Sequence, residues 1–196
     1  MGKTLEFFFD FMSPPTYLAW TRMPGIMERT GCTVVWRPML TLGLFQATGN
    51  RPPMTVPNKG KYSGVDLQRF AKRYGVPLNR NPHMMELKIV PPLRGAFVAQ
   101  ERGEFEPYAK AMFEAMHVDG LNIGADDVWP ALLEKAGLDV AAYQAGVARE
   151  DIKEKLKANV QEAAERGAFG APTFFVDGEM FWGQDRLDFV EEALKR

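Results

Sequence analysis

The chain opens on a short, mostly apolar run over residues 5–9, Leu-Glu-Phe-Phe-Phe, a length that suits a buried strand. Pro14 and Pro15 then set the backbone for a helix start, with Ser13 placed to cap it. A helix over 15–29 is predicted next, stopping near Gly31, and residues 32–36 are apolar and β-branched enough for a second strand. Strand, helix, strand in that order needs a crossover, which makes the two strands parallel.

Residues 38–64 break the pattern. They are rich in Pro, Gly and Asn, as in Gly49-Asn50-Arg51-Pro52-Pro53 and Pro57-Asn58-Lys59-Gly60, and read as a long irregular loop. Over 65–149 a helical period returns. Val65, Phe70 and Tyr74 lead to a stop at Gly75-Val76-Pro77, and Tyr108, Met112, Phe113 and Met116 make a second apolar stripe. Asp126 is placed to cap a helix closed by Gly137, and Asp139 caps a shorter one carrying Val140, Tyr143 and Val147. Ile152, Leu156, Val160 and Ala163 mark a further helix that ends at Gly167.

Strand signals then return. Residues 173–176 and 179–182 flank Asp177-Gly178, a two-residue hairpin signal, and Leu187, Val190 and Leu194 share one face of a last helix. The order is βαβ, a helical stretch, then αββα. Without the helical stretch it is βαβαββα, the arrangement of thioredoxin. The expected fold class is therefore α/β and thioredoxin-like, with a discontinuous domain over 1–64 and 150–196 and a large all-helical insertion over 65–149.

Composition narrows the partners. A chain of 196 residues with 46% hydrophobic and 12% aromatic content can fill a real core. Its 24 basic and 25 acidic residues nearly cancel, and no basic stripe is interleaved with aromatics, which argues against nucleic acid. No 18-residue apolar run and no secretory leader pattern occur, so a cytoplasmic protein with no membrane partner is expected. The single cysteine, Cys32, cannot form an internal disulfide, and with only His83 and His117 beside it no metal site is expected.

A thioredoxin-like fold sets the strand-to-helix turn at Ser13 beside the segment Gly170-Ala171-Pro172-Thr173. A disulfide oxidoreductase would carry Cys-x-x-Cys where Ser13 to Thr16 stand. Neither position holds cysteine here, so the site suits a thiol from elsewhere. Ser13 reads first as a helix cap, and its hydroxyl could also donate a hydrogen bond to a bound thiolate at another stage. A serine hydrolase is disfavoured, because no base lies near Ser13 in the sequence. Ala171-Pro172 is either an ordinary strand entry or a cis bond that frees the Ala171 backbone to pair with an extended peptide. Asp185 either charges the start of the last helix or accepts from an ammonium group, while nearby backbone amides suit a carboxylate. Arg37, Asn50, Lys59 and Lys61 read first as solvated surface. Arg37, directly after a strand, could also meet a carboxylate bidentately.

Taken together, Phe9-Asp10-Phe11-Met12-Ser13-Pro14, Gly49-Asn50-Arg51-Pro52-Pro53, Gly170-Ala171-Pro172-Thr173-Phe174 and Phe181-Trp182-Gly183-Gln184-Asp185-Arg186-Leu187 resemble one group over nearly the whole chain. That group is the 2-hydroxychromene-2-carboxylate isomerases and kappa-class glutathione transferases, in the DsbA-like branch of the thioredoxin fold. The resemblance implies glutathione as cofactor, with Ser13 catalytic and close to its sulfur. It implies that Ala171, Pro172, Trp182, Gly183, Gln184 and Asp185 hold the tripeptide. It also implies a homodimer and a small aromatic carboxylate substrate, for which Arg37, Asn50 and Lys59 are the candidate contacts. The chain departs from the family pattern at Asn81-Pro82-His83-Met84-Met85-Glu86-Leu87-Lys88. The leading expectation is a glutathione-dependent cis–trans isomerase of an aromatic unsaturated keto acid. A conjugating kappa-like transferase and a redox-inactive DsbA-like binding module are the alternatives.

Overall fold

In the computed structural model, which describes residues 2–196, the opening apolar run is strand β1, Thr4–Phe9. The expected single helix after Ser13 is two, α1 (Pro14–Trp20) and α2 (Met23–Thr30). Pro24 explains the division: it has no N–H to continue the ladder, and inside a helix its ring would strike the carbonyl of Trp20. Gly31 ends α2 at φ +66°, and β2 (Thr33–Pro38) runs parallel to β1 as expected.

The stretch read as an irregular loop is largely helical. It holds α3 (Thr41–Thr48), a 3-10 turn at Pro53–Thr55 and the start of α4 (Pro57–Tyr74), which begins eight residues ahead of Val65. Prolines in the first turn of a helix cost nothing that the helix start has not already lost, so here they marked beginnings and not a loop. The same holds for Pro91 and Pro92 at the front of α5 (Val90–Glu101), a helix the apolar period did not single out.

Then come α6 (Phe105–His117), α7 (Val128–Lys135), α8 (Val140–Ala148) and α9 (Glu150–Glu165). Asp139 caps α8 through a bond from the Ala142 N–H at 3.1 Å. Asp126 does not cap α7; Asp127 precedes that helix, and the Asp126 carboxylate sits on Lys88 Nζ at 3.0 Å. β3 (Thr173–Val176) and β4 (Glu179–Trp182) form the expected hairpin, with Asp177 at φ +49° and Gly178 at φ +86°. A 3-10 turn at Gln184–Arg186 leads into α10 (Leu187–Lys195).

The sheet order is β2-β1-β3-β4, with β3 antiparallel to both β1 and β4. Alternation along the central strand sorts the core. Phe7 and Phe9 face α1 and α6, where Phe9 lies 6.2 Å and Phe11 4.8 Å from Phe113 between ring centroids. Phe8 faces the other way, packing with Phe175, Met39, Leu44 and Ala163 under α3 and α9. Residues of α5 to α8 join the first of these clusters, so the helical stretch shares the core of the sheet. Among the described residues no helix is long and apolar enough to cross a membrane.

Candidate functional site

The 10–13 turn, which carries Ser13 from β1 into α1, is held by buried groups. Its backbone closes with the Ser13 N–H on the Asp10 carbonyl at 3.1 Å. Asp10 is fully buried, and its two carboxylate oxygens accept from the Met12 N–H at 3.0 Å and the Thr41 N–H at 2.8 Å. Burial raises its pKa, opposed by those backbone donors. On the far side His117, from α6, donates from Nε2 to the Phe11 carbonyl at 2.8 Å. A carbonyl only accepts, so this nitrogen carries the proton. The imidazole stacks on Tyr17 at 5.1 Å, and burial depresses its pKa to about 4, which keeps it neutral.

Ser13 itself is partly exposed. Its oxygen accepts from the Thr16 N–H at 3.3 Å, capping α1, and its hydroxyl donates to the Ala171 carbonyl at 3.1 Å. The Ala171-Pro172 bond is cis. Two segments 158 residues apart are thereby joined at one hydrogen bond. Among the described residues the Ala171 N–H donates to nothing.

The residues after β4 come to the same place. Gly183, at φ +100°, donates its N–H to the Pro172 carbonyl at 3.0 Å. Trp182, 43% exposed, packs on Phe169 at 4.9 Å, and the Gln184 carbonyl accepts from the Tyr74 hydroxyl at 3.2 Å. Gly170 is what lets the indole lie so close: a Cβ there would sit 2.7 Å from Trp182 Nε1. Gly170→Ala is accordingly expected to push the indole off Phe169. A red-shifted or quenched Trp emission would report it, and an unmoved spectrum would show that the indole does not depend on this glycine.

Asn50 joins the group from the end of α3, donating from Nδ2 to the Phe169 carbonyl at 2.6 Å. Asp185 lies exposed on the adjoining 3-10 turn, with its carboxylate on Arg186. Ser13, Ala171, Pro172, Trp182, Gly183, Gln184, Asp185 and Asn50 thus form one neighbourhood. Lys59 lies in the first turn of α4, exposed and with no hydrogen bond among the described residues. Arg37 is separate. It lies over Phe8, 5.0 Å from the ring centroid, on the face of the sheet opposite α1, and its guanidinium is paired with Glu162. The carboxylate expected to meet Arg37 is the protein's own.

The roles of Asp10, His117, Gly170 and Tyr74 at this site are not apparent from the sequence pattern. Two left a trace: Asp10 interrupts an aromatic run, and His117 directly follows the apolar stripe of α6. A polar residue inside an apolar pattern points to a group that must find partners in the core.

The chain as a whole is similar to known proteins. The profile of the DSBA-like thioredoxin domain matches residues 4–195. The chain is 33% identical to a 2-hydroxychromene-2-carboxylate isomerase of Sphingobium xenophagum over 99% of both chains. It is 25% identical to human glutathione S-transferase kappa 1, over 99% of this chain and 92% of that one. A solved structure of a 2-hydroxychromene-2-carboxylate isomerase superposes with a TM-score of 0.86 at 29% identity, covering 97% of this chain and 94% of the other. These relatives support an isomerase-type function. On the profile, the identity and the shared architecture, the chain belongs to the DSBA-like thioredoxin-domain family, within its branch of 2-hydroxychromene-2-carboxylate isomerases and kappa-class glutathione transferases.

Proposed function

We propose that the protein is a glutathione-dependent cis–trans isomerase acting on an aromatic unsaturated keto acid of the 2-hydroxychromene-2-carboxylate type. The observation that carries this reading is the Ser13 hydroxyl set 3.1 Å from the Ala171 carbonyl, where a redox enzyme would keep a cysteine. The residues present fit the tripeptide. The Ala171 N–H has no protein acceptor among the described residues and can pair with an extended backbone, as an added strand does. The exposed Trp182 offers an apolar wall, and the turn at Gln184–Arg186 offers the Asp185 carboxylate to an ammonium group.

Glutathione held by Ser13, Ala171 and the Trp182–Asp185 turn would supply a thiolate nucleophile for reversible addition to a conjugated double bond, so that the alkene could change geometry without net loss of thiol. The protein's part falls to Ser13. Its hydroxyl has one hydrogen, which in this structure goes to the Ala171 carbonyl. Turning that hydrogen toward a neighbouring sulfur costs one neutral bond and gains a charge-assisted one, while the Thr16 N–H keeps the oxygen in place. The exposed pair Phe169 and Trp182 would shield one side of a substrate ring from water. Asn50 and Lys59 are the proposed contacts for the substrate carboxylate. Arg37 leaves that group, since Glu162 already neutralises it on the other face of the sheet.

The test is turnover of 2-hydroxychromene-2-carboxylate with and without glutathione, with thiol titrated before and after. The expected result is conversion that requires glutathione and consumes none. A stable thioether adduct in the mass spectrum would instead establish the transferase reading, which the 25% identity to human glutathione S-transferase kappa 1 keeps in view. Equal turnover without glutathione would overturn both.

A further inference from the structure

We propose that Asp10 is a positioning residue for Ser13, acting through a closed circuit of hydrogen bonds that runs through α3 and the loop before β3. Its catalytic consequence rests on the glutathione-dependent reading above; the circuit itself does not.

The two carboxylate oxygens serve different elements. One accepts from Met12 inside the 10–13 turn, and the other accepts from Thr41, the first residue of α3, 31 positions away. A residue needed only to shape the turn could be Ser or Asn, which make the same local bond. A carboxylate is called for because both donors are N–H groups and both atoms must accept; the amide of Asn would turn an NH2 toward one of them. Burying a carboxylate without a cation is costly, and among the described residues no Lys or Arg pairs with Asp10. Such a group needs a purpose that a neutral side chain cannot serve.

The far end of α3 supplies it. After Gly49, Asn50 donates to the Phe169 carbonyl at 2.6 Å. Two residues on, the Ala171 carbonyl accepts from Ser13 at 3.1 Å, and the Ser13 N–H returns to the Asp10 carbonyl. The path from Asp10 through Thr41, α3, Asn50, Phe169, Ala171 and Ser13 back to Asp10 is closed. It is rigid along α3, so the spacing between the Ser13 oxygen and the Ala171 backbone is fixed from two directions. Asp10 is the corner where both directions meet.

Asp10→Ser and Asp10→Asn test this. The serine hydroxyl still reaches the Met12 N–H but is too short for Thr41, so it opens the circuit while keeping the turn. In glutathione-free protein, amide exchange followed by NMR should speed by about tenfold or more at the Thr41 N–H and at the Asn50 side-chain amide, while Met12 stays protected. In the loaded enzyme, kcat should fall by about tenfold or more with KM for glutathione within about threefold, as for a displaced reacting group. Asn50→Ala, on an exposed residue, cuts the same circuit from its far end. It should loosen Ser13 and Thr41 even if the Asp10 variants do not fold. Loss of protection at Thr41 alone with kcat unchanged, or unmoved amides in Asn50→Ala, would reduce Asp10 to a helix cap and overturn the proposal. Absence of glutathione-dependent turnover in the native protein would sink the functional reading and leave the exchange result to decide the circuit.

Discussion

Ser13→Ala is expected to leave a folded protein whose kcat falls by roughly 10²–10³-fold, the loss typical when one preorganised donor to a developing anion is removed. The reason is the arithmetic of one hydroxyl. Ser13 donates to the Ala171 carbonyl and accepts from the Thr16 N–H, so its oxygen is held while its hydrogen can turn. Alanine keeps the backbone turn closed by Asp10 but has nothing to offer a sulfur. The same change removes the α1 cap, which costs about 1 kcal/mol of stability. Two measurements separate these effects: steady-state kinetics for kcat and KM, and thermal melting for the fold. Turnover equal to that of the native protein would take Ser13 out of the chemistry and leave it a cap.

The second large effect is on stability in acid. His117 is buried, donates to the Phe11 carbonyl and has its pKa lowered from 6.5 to about 4, chiefly by desolvation. The unfolded chain therefore binds a proton that the folded one refuses. Stability should be full above about pH 6.5, decline as pH falls toward 4, and lose roughly 3 kcal/mol from this group over that window. Asp10 acts with the opposite sign: its raised pKa makes protonation favour the fold as pH drops through that value. His117→Gln distinguishes the two, since the glutamine amide can donate to Phe11 without titrating. Urea denaturation of both proteins at pH 7 and pH 5 should show the native chain losing far more than the variant. Equal losses would mean that His117 is not the acid-sensitive group.

Much of this was legible in the sequence, for reasons that can be named. Strand β1, the parallel pair with β2 and the Asp177-Gly178 hairpin follow from runs of fixed length bounded by Ser-Pro-Pro or Asp-Gly, signals that act locally. Ser13 and Ala171-Pro172 could be placed side by side because the element order fixed the topology. The rest depended on the far side of each contact. Pro24 stands in the first turn of α2, as Pro57, Pro91 and Pro92 do in their helices, but it alone divides a stretch that reads as one helix. Arg37 follows a strand as expected, but its partner Glu162 lies 125 positions later on α9, and nothing near Arg37 reveals that the pair will face away from Ser13. His117 sits at the end of an apolar stripe that gives no sign of Phe11 across the core.

The sheet order has a consequence for the chain as it is made. β1 acquires β2 within the first 38 residues, but β3, its other neighbour, ends only at Val176. Until then one edge of a strand bearing Leu5, Phe7, Phe8 and Phe9 has no ladder to join, and such an edge pairs readily with any other strand. At a synthesis rate of about 5–20 residues per second, that exposure lasts several seconds or more on the ribosome. Ser13 meanwhile waits for the carbonyl it must face. A chain truncated before Thr173 would lack not only the second half of its cleft but also the closing seam that keeps its aromatic spine from recruiting strangers.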